Sequence, residues 1–480
     1  MSKPFYLTTT LPYVNAEPHV GFAMELIRAD IIVRWHKLQG DEVFFNTGTD
    51  EHGSKLWQAA QNENLDIKEY VDQYAEKFKG LVETLGISDD VHFIRTTDKH
   101  HELAAQEFWR RCDAAGYIYK KNYQIKYCVG CELEKTDSEL TDSGDCPLHP
   151  GRPLELIDEE NYFFKFSNFQ EPLLAFYNSQ PDFVLPDFRF NEIKAFVERG
   201  LEDFSISRLK AKMPWGIEVP NDPEQVMYVW FDALVNYIST LGWPENTDQF
   251  EKFWMNGTPV QYCGKDNLRQ QTAMWQAMLM SVGLPNSHQV VINGFYTGEG
   301  GVKMSKSLGN VTSPYDLVAE YGVDALRYFV TRETASFEDS PFTLERFKDT
   351  YNSGLANGLG NLTSRIMKMA ETNLDSTPQL PTGLIPEEFK DAFREYDLNR
   401  AANLVWEKIA ELDKRIQITE PFKLVKIDKE AGIKIIEELV IDLYSISLML
   451  EPLLPQTSKI IQQAIKDNKV PQKPLFIRKD

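Results

Sequence analysis

The sequence predicts a mixed α/β protein: a parallel-sheet domain interrupted by a cysteine-bearing insert and followed by a helix bundle. Three observations predict it. Near the N-terminus a strand, an amphipathic helix and a second strand follow one another within about 45 residues, as in a parallel βαβ unit. Residues 118–225 break into short strands and turns around Cys128-Val-Gly-Cys131 and Cys146-Pro-Leu-His149. Beyond about Leu344 the chain reads as almost continuous helix to about Lys466.

Each element has its own justification. Phe5-Tyr6-Leu7-Thr8-Thr9 is an apolar, aromatic run ended by Pro12, hence a buried strand and a turn. From Gly21 to Leu38, Phe22, Leu26, Ala29 and Val33 recur at helical spacing. Glu42–Thr47 is a second strand running into Gly48-Thr49-Asp50-Glu51-His52-Gly53. Active groups in such sheets gather where strands end and helices begin, which here means Leu11–Phe22 and Gly48–Gly53. Helical patterns fill roughly 67–115. Met227–Trp230, Val260–Cys263 and Val290–Ile292 read as returning strands of the sheet. In the helical C-terminal region, the proline-containing stretch Thr377–Pro386 is a breaker. The expected domains are 1–117, 118–225, 226–345 and 346–480.

Bulk composition narrows the function classes. A 480-residue chain with 42% hydrophobic content has ample material for two or three ordinary cores. It contains no uncharged apolar run long enough for a bilayer and no secretory signal. Five cysteines, three of them clustered, fit a reducing cytoplasm rather than a disulfide scaffold. The net charge of −21 argues at first against a nucleic-acid partner. Its distribution weakens that objection: residues 346–480 carry 20 Lys+Arg and 20 Asp+Glu, so the excess acidity lies in 1–345. Lys414, Arg415, Lys423, Lys426 and Lys429 then allow a basic face on a neutral third of the chain.

Cys128, Cys131, Cys146 and His149 form two half-sites separated by fourteen residues. A two-residue gap lets both ligands of one tight turn meet the same tetrahedral ion, and Gly130 permits that turn. Three thiolates and an imidazole suit Zn2+ and fill its coordination, so one structural zinc is expected. Residues 301–309, Gly-Val-Lys-Met-Ser-Lys-Ser-Leu-Gly, place Lys303 and Lys306 in a small, hydroxyl-rich loop. Such a pair can neutralise a triphosphate whose charge shifts during adenylyl transfer. Pro18-His19-Val20-Gly21-Phe22 opens the first helix, and His19 there supplies a donor at a helix N-terminus, where anions are favoured. Gly21 leaves room for a nucleotide to approach the backbone.

The lysine loop and the histidine stretch resemble the two signatures of class I aminoacyl-tRNA synthetases. With Thr10-Leu11-Pro12-Tyr13-Val14-Asn15-Ala16-Glu17-Pro18-His19, Thr47–Gly53, the cysteine knuckle, Ile206-Ser207-Arg208, Tyr228–Ala233, Gly264-Lys265-Asp266 and Tyr321–Tyr328, the sequence resembles the methionyl-tRNA synthetase family over nearly its whole length. The resemblance implies a class I Rossmann-like nucleotide-binding domain, a zinc-knuckle connective insert and an anticodon-binding helical bundle. It implies methionine–tRNA ligation through methionyl-adenylate, with ATP, Mg2+ and tRNA(Met) as partners. It assigns Asp50 to the methionine ammonium, and Leu11, Tyr13, Trp230, Tyr237 and Gln271 to the methionine pocket. His19, Gly21, Gly264, Asp266, Lys303 and Lys306 would serve ATP, with His19, Gly21, Lys303 and Lys306 central to catalysis. Arg208 would link the first signature to Asp266, and Asn361, Arg365 and Phe422 would meet the anticodon.

The sequence also departs from the family pattern. Phe22 stands where a second histidine is usual, Gln271 where many members have histidine, Gln270 where they have an aromatic, and Leu234 where they often have proline. Phe422 replaces a stacking tryptophan. A pocket still made for methionine, but answering differently to its analogues, is expected. The close at Pro474–Asp480 resembles the shortest family members and points to a monomer. The competing expectation, from a different functional class, is a non-catalytic tRNA-binding paralogue. Loss of the second histidine favours it, and the intact Lys303, Lys306, Asp50, Gly264 and Asp266 oppose it.

Overall fold

The computed structural model describes residues 3–131, 133–135, 139–141, 143–298 and 312–480. The chain forms two compact units, and each takes several separate pieces of sequence. One comprises residues 1–17, 42–80 and 90–292; the other comprises 18–41, 81–89 and 293–480.

The first unit is built on a six-stranded sheet in the order Val91–Arg95, Val43–Thr49, Phe5–Thr9, Thr258–Gly264, Gln289–Asn293, Val184–Leu185. The N-terminal strand pairs in parallel with Val43–Thr49 on one side and Thr258–Gly264 on the other, with Thr8 opposite both Asn46 and Gln261. Both faces of these strands are covered, so they are buried almost throughout instead of alternating. The core on this sheet is aromatic: Tyr6, Phe44, Phe108, Phe231, Trp254 and Trp275 are all nearly fully buried within it. The outermost strand, Val184–Leu185, comes from the stretch between 118 and 225. At two residues it has too little pattern to be seen in the sequence.

The same stretch holds an antiparallel sheet in the order Leu133–Lys135, Ile118–Cys128, Glu155–Phe164, Phe204–Ser205. Where only short strands and turns were expected, it also holds the helices Gln170–Ser179 and Asp187–Glu198. One expected strand is corrected. Met227–Trp230 does not return to the parallel sheet: Asp222–Met227 lies in a separate three-stranded sheet, and Val229–Leu234 is a helix. A short apolar run carries no periodicity that separates a buried strand from a buried helix turn.

The helix Val20–Leu38 belongs to the second unit. It is buried well beyond one stripe, and even Arg28 and Asp30 are at most 1% exposed. Arg28 donates to the carbonyls of Val330 (3.0 Å), Ser336 (3.1 Å) and Ala335 (2.7 Å) and to the Thr334 hydroxyl (2.7 Å). Trp35 stacks on Phe393 with ring centroids 4.5 Å apart. Tyr296–Thr297 pairs with Ser340–Pro341, and from Leu344 onward this unit is helical as expected, with residues 374–386 forming the predicted break. Asp397 and Asp428 cap the helices Leu398–Thr419 and Lys429–Leu453 through the Arg400 and Ala431 amides. Within the Tyr321–Tyr328 motif, Asp324 accepts from the Thr457 amide (2.7 Å) and hydroxyl (2.6 Å), capping the helix Pro455–Asp467. Among the described residues no helix is long and apolar enough to cross a membrane.

Candidate active site and metal centre

Asp50 follows the last residue of the Val43–Thr49 strand and is 4% exposed. Its amide donates to the Pro12 carbonyl (3.0 Å), and it forms a parallel bridge with Tyr13. The two segments expected to gather active groups in this unit are thus joined by backbone pairing. The turn after Asp50 is held rigidly. Arg95 grips the Glu51 carboxylate with two bonds of 2.7 Å, and the Thr49 and Thr97 hydroxyls bind the same group. A bidentate arginine fixes direction as well as distance.

His52 continues this turn and pairs with Asp232 at 3.2 Å, both side chains being almost wholly buried. Burial opposes the charged imidazole, yet the Asp232 carboxylate outweighs it and holds the His52 pKa above its ordinary value. Asp232 is two residues beyond Trp230 on the Val229–Leu234 helix, so the ion pair ties the Asp50 turn to the Trp230 helix. Tyr237 is 2% exposed and Gln271 1% exposed. Gln271 donates to the Tyr237 hydroxyl oxygen (2.5 Å), and the Tyr6 hydroxyl donates to the Tyr237 carbonyl (2.9 Å). Leu11 is buried, and the Lys55 ammonium lies 5.6 Å from the centre of the half-buried Tyr13 ring. Gly264 ends its strand, and the following turn exposes Asp266, whose carboxylate accepts from Asn267 (3.0 Å). Arg208 donates to the Ser205 hydroxyl and the Ser207 carbonyl, each at 2.7 Å.

In the second unit His19 caps the helix Val20–Leu38, its Nδ1 accepting from the Gly21 amide at 3.0 Å. That bond fixes the tautomer: with Nδ1 accepting, the neutral ring carries its proton on Nε2. Gly21 has a reason the sequence did not show. A Cβ there would lie 2.9 Å from His19 Cε1, so a larger residue would push the ring out of its capping position. Lys303 and Lys306 lie outside the described residues.

Asn361 and Arg365 occupy one face of the helix Asn361–Asn373, with Asn361 exposed and Arg365 paired with Asp413. Phe422, 43% exposed, opens the helix Pro421–Ile427.

Cys128, Cys131, Cys146 and His149 come together as the spacing requires, their ligand atoms all within 4.8 Å of one another. Cys131 Sγ lies 3.5 Å from Cys146 Sγ and 3.2 Å from His149 Nδ1. Donors bound to one tetrahedral ion at about 2.0–2.3 Å stand roughly 3.3–3.8 Å apart, so the set fits a single ion. A Cβ on Gly130 would come within 2.5 Å of the His149 ring, which explains the glycine between the first two cysteines.

Buried groups with no sequence signal also belong to this site, notably Gln261, Gln276 and Ser287. Nothing in their spacing distinguishes them from surface residues; only the fold brings them behind Tyr237.

A parallel α/β sheet with a buried acid at a strand end, a histidine-capped helix and a closed Cys3His knuckle has the architecture of the class I tRNA synthetases. The family model described as "tRNA synthetases class I (M)" matches residues 5–152 and 149–367. A methionine–tRNA ligase of Thermotoga maritima is 40% identical, the match covering 98% of this chain and 76% of that protein. One of Rhizobium meliloti is 38% identical over 95% of this chain and 90% of its own length. The solved Mycobacterium tuberculosis methionyl-tRNA synthetase bound by methionyl-adenylate is 34% identical with a TM-score of 0.90, covering 99% of this chain and 100% of that one. This chain belongs to the methionine family of class I tRNA synthetases.

Proposed function

We infer that the chain joins methionine to tRNA(Met) at the expense of ATP, an AMP-forming methionine–tRNA ligation. The observation that carries it is Asp50: a buried carboxylate at a strand end, backbone-paired to Tyr13, in the same unit as Trp230 and the Gln271-bound Tyr237.

The methionine carboxylate attacks the α-phosphorus of ATP and pyrophosphate leaves. A terminal ribose hydroxyl of tRNA then attacks the acyl carbon and AMP leaves. No side chain acts as nucleophile; positioning and charge neutralisation lower the barrier. Asp50 holds the methionine ammonium through a charge-assisted bond. Leu11, Tyr13, Trp230, Tyr237 and Gln271 surround the thioether, with the Tyr237 hydroxyl donating to sulfur. His19 offers its Nε2 proton to phosphate, Gly21 keeps that ring in place, and Gly264 and Asp266 serve the nucleotide. Lys303 and Lys306 stabilise the departing pyrophosphate. Mg2+ bound with ATP would supply charge neutralisation at its phosphates. Cys128, Cys131, Cys146 and His149 hold one structural Zn2+. Asn361, Arg365 and Phe422 receive the anticodon from residues 346–480, and residues 118–225 connect the halves 1–117 and 226–345 of the catalytic region. A cytoplasmic monomer accords with these assignments.

Amino-acid-dependent ATP–pyrophosphate exchange tests this across all twenty amino acids. Exchange with methionine alone is expected. Exchange with another amino acid would overturn the specificity, and silence with all of them would favour the non-catalytic tRNA-binding alternative. For the anticodon role, Phe422→Ala is expected to remove about 1–3 kcal/mol of base stacking, a roughly five- to 150-fold loss in charging of tRNA(Met). Exchange, which needs no tRNA, should persist; equal losses in both assays would place Phe422 in general stability.

A further inference from the structure

Behind Tyr237 lies a chain of buried, uncharged side chains whose hydrogen-bond direction is set by the backbone. Gln261, Gln271, Gln276 and Ser287 are each at most 2% exposed. The backbone amide of Ser287 can only donate, and it donates to Gln276 Oε1 (3.0 Å), as does Asn286 Nδ2 (3.1 Å). The oxygen end of the Gln276 amide is thereby fixed. Its Nε2 faces the Gln271 carbonyl (2.8 Å), the Ser287 hydroxyl (3.1 Å) and, at 3.4 Å, Gln261 Oε1. Because the Ser287 hydroxyl accepts from Gln276, it directs its own proton to Gln261 Oε1 (2.6 Å). Gln261 must then present Nε2 to Gln271 Oε1, and Gln271 presents Nε2 to the Tyr237 oxygen at 2.5 Å. Each amide has one accepting and one donating end, so the sense set at the Ser287 amide passes unbroken to Tyr237. The Tyr237 oxygen accepts from Gln271 and its O–H is turned away from that residue.

Three local features hold the parts of this chain. Gln261 sits in the Thr258–Gly264 strand, Gln271 in a single π-helical turn over Gln270–Met274, and Gln276 in the helix Trp275–Ser281 that follows it. A π-turn shifts the side chains on either side of it relative to a regular helix. Here it accompanies two glutamines five apart that both contact Gln261.

We infer that Gln261, Gln276 and Ser287 are positioning residues which fix the direction of the Tyr237 hydroxyl. They make the pocket select a side chain with an acceptor atom at the thioether position over a hydrocarbon of the same shape. The inference rests on the methionine assignment made above. Norleucine, with a methylene in place of sulfur, is the probe. Without the anchor on Gln261 the Gln271 amide can turn over, and the Tyr237 proton then points to Gln271 instead of to substrate.

The test is ATP–pyrophosphate exchange with methionine and with norleucine, on the unsubstituted protein and on Gln261→Leu and Ser287→Ala. The kcat/KM ratio of methionine to norleucine is expected to fall about three- to tenfold in Gln261→Leu, the scale of one modest hydrogen bond. A smaller fall in the same direction is expected in Ser287→Ala, which deletes one hydroxyl and keeps the anchoring backbone amide. Ser287→Ala also carries the test if Gln261→Leu fails to fold. A purely structural role would depress both substrates together and leave the ratio unchanged, and that result overturns the proposal. Absence of methionine-dependent exchange in the unsubstituted protein would overturn the functional assignment itself, and this proposal with it.

Discussion

Replacing Arg327 with methionine is expected to destabilise the second unit by about 3–5 kcal/mol, the scale for stranding one partner of a buried ion pair. Arg327 is completely buried and meets the equally buried Asp30 at 2.7 Å, while also donating to the carbonyls of Leu453 (2.9 Å) and Pro452 (3.2 Å). Asp30 in turn binds Arg34 (2.7 Å) and accepts from the Ser88 amide (2.8 Å) and hydroxyl (3.0 Å). Burial alone would push the Asp30 carboxyl up. Arg327, Arg34 and the Ser88 amide outweigh it and hold the group below the usual carboxylate range. A carboxylate with a depressed folded-state pKa contributes stability above its unfolded pKa and loses it as pH falls through the folded value. Removing Arg327 raises the folded value, so the acid-unfolding midpoint should move to higher pH. Urea unfolding at neutral pH and an acid titration followed by circular dichroism would measure both effects. The double substitution Asp30→Leu/Arg327→Met should recover much of the loss, because neither member of the pair is then left buried without the other. A single-substitution cost below about 1 kcal/mol would show that the pair is not what holds these helices together.

Removing the metal is expected to unfold the knuckle between Cys128 and Arg152 and little else. Metal binding in such a site supplies on the order of 10–16 kcal/mol, and without it three thiols and an imidazole gain nothing by staying in contact. The strands leading into the knuckle, Ile118–Cys128 and Glu155–Phe164, pair through ten residues of backbone register, and Phe163, Phe164, Phe166 and Phe169 are buried. Chelation should therefore create new protease cleavage within 129–152 and alter the near-UV signal of Tyr127, while far-UV circular dichroism changes little. Full protease resistance after complete removal of metal would count against the site as a structural element. Loss of the far-UV signal would mean that the ion supports much more of the chain than its immediate loop.

What the sequence revealed and what it concealed follow from range. The cysteine knuckle was legible because all four ligands lie within 22 residues and tetrahedral geometry dictates their spacing. Four of the six parallel strands were legible because they are hydrophobic runs buried on both faces. The half-exposed edge strand Val91–Arg95 was hidden inside the helical reading of 67–115, and Val184–Leu185 was too short to show. Trp230 was placed in the wrong kind of element because its neighbours Val229 and Phe231 suit either a strand or a helix turn. Gln271 was assigned to the methionine pocket by resemblance alone, but its bonds to Gln261 and Gln276, and the Arg327–Asp30 pair, were not legible. Their members look like ordinary surface residues until residues far apart in sequence are brought together. Gly21 shows an intermediate case: its importance was visible, but the cause is the folded-back His19 ring and not only room for a nucleotide.

The way the chain distributes itself between its two units limits how such a protein can be taken apart. It passes from one unit to the other after residues 17, 41, 80, 89 and 292. A fragment ending near residue 292 would retain the helix Val20–Leu38 but lose Thr334, Phe393 and Arg327, exposing an apolar surface and leaving Asp30 without its arginine from the distant helix. Neither unit is a cassette that a single cut in the gene could release, so recombination or truncation at one point would damage both. Splicing in a foreign C-terminal helical region would have to preserve, in the donor sequence, the carbonyls and the arginine that this one early helix requires.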